Sequence, residues 1–156
     1  MSYTMKRYII IIFLLSVQIL TYSQDRYYFS KLSLEDGLSQ ITVTSIYQDK
    51  KGFMWFGTRN GLNRYDGYSF EVYTNNPESN TSISNNHVFC ITEDAEGNLW
   101  VGTNNGLNKL NTAKNTFTRY LHNPQNSNTI SGNMIVSIYC DTKNRLWVGT
   151  SNGLNL

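Results

Sequence analysis

Apolar and polar positions follow one another in short runs along this chain, at the spacing of strands rather than helices. Thr42 to Gln48 (TVTSIYQ), His87 to Glu93 (HVFCITE) and Met134 to Cys140 (MIVSIYC) are rich in β-branched and apolar residues and predict strands. Each is followed by Asp-x-x-Gly or Asp-x-x-Asn, at Asp49 with Gly52, Asp94 with Gly97 and Asp141 with Asn144. An Asp carboxylate accepts from backbone N–H groups two residues on, and Gly or Asn tolerates positive φ, so each tetrad predicts a tight turn. A second strand carries a Trp (FMWFGT, then LWVGT twice), and Asn60-Gly61, Asn105-Gly106 and Asn152-Gly153 come next. Asn-Gly between strand-like runs predicts a type I′ hairpin, with positive φ at both central residues. A third strand (LNRY, LNKL, LNL) follows, then a fourth at Ser69 to Tyr73 and Thr116 to Tyr120.

The runs are copies of one another. DKKGFMWFGTRNGLN from Asp49 recurs as DAEGNLWVGTNNGLN from Asp94 and DTKNRLWVGTSNGLN from Asp141. The Trp residues set the period, 45 residues from Trp55 to Trp100 and 47 from Trp100 to Trp147, a spacing typical of propellers and other arrays. Four antiparallel strands in such a unit make one propeller blade. The expected fold is therefore all-β: a partial β-propeller with blade 1 over 41–82, blade 2 over 83–129 and an incomplete blade 3 over 130–156. A blade has two open faces that neighbouring blades must cover, and rings typically hold 4 to 8 blades. Two blades and part of a third do not close one, which reads as the amino-terminal piece of something longer or a truncated gene product. A leading strand and turn are expected over 24–40. The strand, Tyr27 to Leu34, resembles the aromatic fourth strand of a blade and would pair with a last blade to seal a circle, or lie on the first.

Residues 1–23 read as a secretory signal peptide: Lys6 and Arg7 precede a mostly apolar run from Tyr8 to Leu20, with Thr21 and Ser23 as small residues ahead of Gln24. The run is short for a membrane span. Of the 13 basic residues, Lys6 and Arg7 belong to this leader, leaving 11 against 11 acidic ones. Scattered among acids, they form no basic stripe of the kind phosphate backbones need, which argues against nucleic acid as a partner. Cys90 and Cys140 occupy non-equivalent positions on different blades and predict no disulfide between them.

Catalytic, metal and cofactor sites find no support in the sequence. Asp49, Asp94 and Asp141 recur once per blade, whereas general acids and bases must converge on one substrate. His87 and His122 stand in unrelated contexts, with no ligand spacing. Asp49, Trp55, Gly57, Asn60 and Gly61 form the structural repeat, with Asp94, Trp100, Gly102, Asn105 and Gly106, and Asp141, Trp147, Gly149, Asn152 and Gly153 as their counterparts. The periodic Trp residues point to blade-to-blade packing. The less periodic Tyr65 and Tyr68 are the ligand candidates. The polar connections Thr74 to Asn86 and Leu121 to Asn133 should lie on a propeller face, where binding loops sit.

The succession Leu/Ile-Ser, then Val/Ile-x-x-Ile-x-x-Asp-x-x-Gly-x-x-Trp-x-Gly-Thr-x-x-Gly-Leu, seen from Leu38-Ser39, Ile83-Ser84 and Ile130-Ser131, resembles the two-component regulator propeller repeat. Ile41 stands where the other copies have Asn86 and Asn133, and Asn144 replaces a turn Gly. The resemblance implies the periplasmic input region of a hybrid two-component system of Bacteroidota, membrane-anchored through a downstream span and linked to carbohydrate sensing. It implies as partners the remaining blades of a longer parent or another β-edge, and an oligosaccharide as ligand. Any kinase activity would reside in sequence absent from this chain. The alternative is a structural or protein-interaction blade module without a small ligand.

Overall fold

A computed structural model describes residues 3–6, 8 and 27–156, in two units divided between Lys31 and Leu32. Of the leader, Tyr3 to Lys6 are helical, and the rest of the expected signal peptide lies outside the described residues. No described helix is long and apolar enough to cross a membrane.

The second unit is all-β. Strands β1 (Val43–Gln48), β2 (Met54–Thr58), β3 (Gly61–Tyr65) and β4 (Phe70–Tyr73) form blade 1, an antiparallel sheet in chain order. Blade 2 repeats it with β5 (Val88–Glu93), β6 (Leu99–Thr103), β7 (Gly106–Asn111) and β8 (Thr116–Tyr120). Blade 3 has three strands, β9 (Ile135–Cys140), β10 (Leu146–Thr150) and β11 (Gly153–Asn155). Registers coincide: Tyr47 faces Trp55, Thr92 faces Trp100, and Tyr139 faces Trp147. The ladder shifts by one near the start of β1, β5 and β9, which adds local twist to each first strand.

The core lies between blades. Trp55, Leu62 and Tyr73 of blade 1 pack against Ile83, Val88, Leu99, Leu110 and Phe117 of blade 2, with Phe117 edge-on to Tyr73 at 5.8 Å. The next interface repeats the first half of that set: Leu107 and Trp100 of blade 2 meet Ile130, Ile135, Leu146 and Val148 of blade 3.

Two expectations are corrected. The segment Tyr27 to Leu34 carries no strand. A strand exists through its ladder, and Tyr27, Tyr28 and Phe29 are exposed, while Leu34–Asp36 turn into a single 3-10 coil capped by Ser33. The Asn-Gly hairpins are not type I′, because Asn60, Asn105 and Asn152 keep negative φ and only Gly61, Gly106 and Gly153 are positive, at 115°, 115° and 128°. In blade 1 the turn proper is Arg59-Asn60, between paired Thr58 and Gly61, so the glycine follows the central pair in the manner of a bulged type I turn.

Candidate functional site

The repeated Asp organises two turns' worth of contacts in every blade. In blade 1, Asp49 Oδ1 accepts from the N–H groups of Lys51 (3.0 Å) and Phe53 (2.9 Å), and Oδ2 accepts from Trp55 Nε1 at 2.8 Å. In blade 2, Asp94 accepts from Asn98 N and Trp100 Nε1, both at 2.8 Å. Asp141 accepts from Lys143 N, Arg145 N and Trp147 Nε1 at 2.9, 2.9 and 3.0 Å, and pairs with the Arg145 guanidinium. The third turn residue sits at positive φ each time, at Gly52, Gly97 and Asn144. Burial pushes the Asp94 carboxyl up, but the bonds from Trp100 and Asn98 outweigh it and hold the group below its ordinary value. The Arg145 side chain, then its backbone N–H, do the same to Asp141. All three carboxylates thus have their lone pairs engaged in a turn and an indole, one blade apart from each other.

A second device fastens each blade's entry to its hairpin. Asn63, Asn108 and Asn155 accept from the N–H of Ser39, Ser84 and Ser131, at 2.9 Å in all three. Thr58, Thr103 and Thr150 meet the same serine hydroxyls at 3.0, 2.9 and 2.9 Å, and each threonine also donates to the carbonyl of the hairpin glycine. These Thr, Asn and Ser positions repeat visibly in the sequence, but their partners lie 19 to 24 residues away, so repetition alone assigned them no role.

Gly57 and Gly102 let successive blades touch. A Cβ on Gly57 would lie 2.7 Å from Val88 Cγ1, and one on Gly102 would lie 2.7 Å from Ile135 Cγ2. The hairpins also bond onward: Gly61 N–H donates to Asn86 O (2.8 Å) and Gly106 N–H to Asn133 O (2.6 Å). Cys90, at the position of Ser45 and Ser137, is packed against blade 3, and burial pushes its thiol up to about 12. Cys90 and Cys140 are both free thiols.

The ligand candidates part company. Tyr65 spends its hydroxyl on Gly67 O (2.8 Å) and its ring on Phe70, 4.6 Å away. Tyr68 stands 94% exposed in a turn held by Asp66, whose carboxyl accepts from Tyr68 N and Ser69 N at 2.8 Å. The two polar connections brace themselves. Asn86 Oδ1 accepts from Asn75 N and Asn133 Oδ1 from His122 N, while Ser82 and Thr129 hydroxyls accept from Asn76 N and Asn123 N. Two open grooves remain. The first, about 630 Å³, is polar and runs between the Asp turns of blades 1 and 2 and the β7–β8 turn, lined by Lys50, Lys51, Glu93, Glu96, Lys109 and Tyr120. The second, about 590 Å³, lies against β11 and exposes parts of Trp100, Leu107 and Tyr120. Neither was legible in the sequence, because each is formed by residues of two blades.

A family profile described as two component regulator propeller matches residues 37–60, 82–105 and 129–152, one segment per blade. The chain is built of two component regulator propeller repeats. Over 49 residues it is 61% identical to histidine kinase P4 of Formosa agariphila, a stretch that is 31% of this chain and 4% of that protein. The extracellular domain of the hybrid two component system BT3049 from B. thetaiotaomicron superposes on 81% of the chain with a TM-score of 0.72 at 30% identity, using 20% of that structure. Virginiamycin B lyase from Staphylococcus aureus, at 19% identity and a TM-score of 0.50, shares the fold alone. The repeats here thus span a small part of the proteins they resemble.

Proposed function

We propose that these blades belong to the ligand-input region of an exported hybrid two-component sensor, non-catalytic in themselves and responsive to an oligosaccharide. The observation that carries this reading is the similarity to an extracellular domain of such a system across 81% of the chain. A non-catalytic role is supported by the three repeat carboxylates, each occupied by its own turn and indole. The polar groove between blades 1 and 2 is of ligand size and offers what a polyhydroxylated, acidic sugar takes: lysines, carboxylates and a tyrosine edge. Titrating acidic and neutral oligosaccharides onto the parent sensor, with Lys51→Ala and Lys109→Ala as controls, tests it. Saturable binding weakened by the lysine changes is expected; no response to any glycan would remove the sensing reading.

A second reading, a protein-interaction module without small ligand, is favoured by one specific observation: both outer faces of the array are apolar. Ile41 and Ile46 are exposed on blade 1, as are Leu154 and Leu156 on blade 3.

A further inference from the structure

Blade 3 has an empty seat whose shape is known from its neighbour. In blade 2 that seat is filled by β8, where Phe117 covers Tyr73 and its N–H donates to Thr81 O at 2.7 Å. Arg119 fills a cradle of carbonyls, with Nε on Ser82 O and a terminal nitrogen on Ser79 O, both at 2.7 Å. The matching loop of blade 3 offers Asn126, Asn128 and Thr129 at the equivalent places, folded by the same internal bonds. Its groove exposes Trp100, Tyr120 and Leu107 where blade 1 presents the covered Trp55, Tyr73 and Leu62.

One segment of the chain matches that seat. Phe29-Ser30-Lys31-Leu32 has an aromatic, a cation two residues on and an apolar residue next, the order of Phe117-Thr118-Arg119-Tyr120. It carries no strand, and Phe29 is 96% exposed. In the array a fourth strand leads into the first strand of the following blade, as β4 leads to β5 and β8 to β9. Phe29–Leu32 leads into β1 in the same way. Its far end is fixed to blade 1, where Ser39 N–H donates to Asn63 Oδ1, with blade 2 between it and the empty groove.

We infer that the seat is filled by a second copy of this chain: Phe29–Leu32 of one copy adds beside β11 of the other, and blade 1 of the first stacks on blade 3 of the second. The junction continues an interface already present twice in the molecule. Leu154 takes the role of Leu62 and Leu107, Val43 that of Val88 and Ile135, and Lys31 enters the carbonyl cradle as Arg119 does. Three blades from each of two copies make six, within the 4 to 8 of closed rings, whereas three copies exceed it. The product is a two-fold closed dimer without free edges.

Sedimentation of the full chain over a range of concentrations tests this. The mass of two chains is expected. Phe29→Asp, in an exposed segment outside every strand, should weaken the dimer by about 30-fold or more, the loss typical of a central aromatic anchor. Lys31→Arg should keep the dimer and Lys31→Glu weaken it, while circular dichroism of every variant stays that of the parent. A single-chain mass at all concentrations overturns the inference, as does a dimer indifferent to both Phe29→Asp and Leu154→Asp.

Discussion

Blade 2 and blade 3 have the same strands, turns and clamps through their third strand, and yet they are not equally buried. Leu107 is 3% exposed and Leu154, at the same register opposite the second-strand glycine, is 67% exposed. The difference is the neighbour, not the residue: blade 3 covers Leu107, and within the chain no blade covers Leu154. Blade 1 shows the converse on its other face, where Ile46 is 64% exposed and its counterpart Ile91 is buried. A blade therefore supplies local geometry through its Asp turn and Thr-Asn-Ser clamp, and receives most of its apolar stabilisation from the blades beside it, as repeat arrays do.

The comparison can be broken first at the indoles. Trp55 is fully buried between blades 1 and 2, whereas Trp147 lies at the uncovered face. Trp55→Ala should cost about 3–5 kcal/mol by urea unfolding, as buried Trp truncations do, and Trp147→Ala about 1.5 kcal/mol in proportion to its partial burial. Next come the second-strand glycines. Gly102→Ala presses on the branched Ile135 side chain and should cost about 1–3 kcal/mol. Gly149→Ala meets only Ser137, from its own sheet, and should cost clearly less in the same unfolding assay.

The acidic turns sharpen the contrast more gently. Asp94 is buried and Asp141 open, and both carboxyls sit below their ordinary value. A depressed folded-state pKa stabilises the fold above the unfolded value of about 3.9 and loses that contribution as pH falls through the folded value. Asp94→Asn should therefore lower stability at neutral pH by about 1–2 kcal/mol, the size of charge-assisted bonds to a buried group, and flatten the acid limb of a pH titration of stability. Added salt should erode the Asp141 contribution and leave that of Asp94, because exposed charges are screened and buried ones are not.

The strands, their order and their grouping into blades were legible from alternation, turn residues and repetition. What failed was geometry that depends on one residue's offset. Asn-Gly predicted two positive φ values, and the structure places the glycine just past the turn, where a threonine side chain supports the asparagine N–H instead. The Asp–Trp bond escaped because six residues of separation become contact only once the turn and the register of β2 are known. The leading segment was read as a strand from its aromatics alone, and pairing requires a partner that composition does not supply. The grooves lie between blades, which no single repeat encodes.

The most direct test uses one substitution at three equivalent places, Leu62→Ala, Leu107→Ala and Leu154→Ala, at a dilution that keeps single chains apart. Urea unfolding should give losses of about 2–5 kcal/mol for the first two, as in buried leucine truncations, and under about 0.5 kcal/mol for the third, as on a surface. Equal losses at all three would contradict the account, since a blade would then be holding its own core without a neighbour.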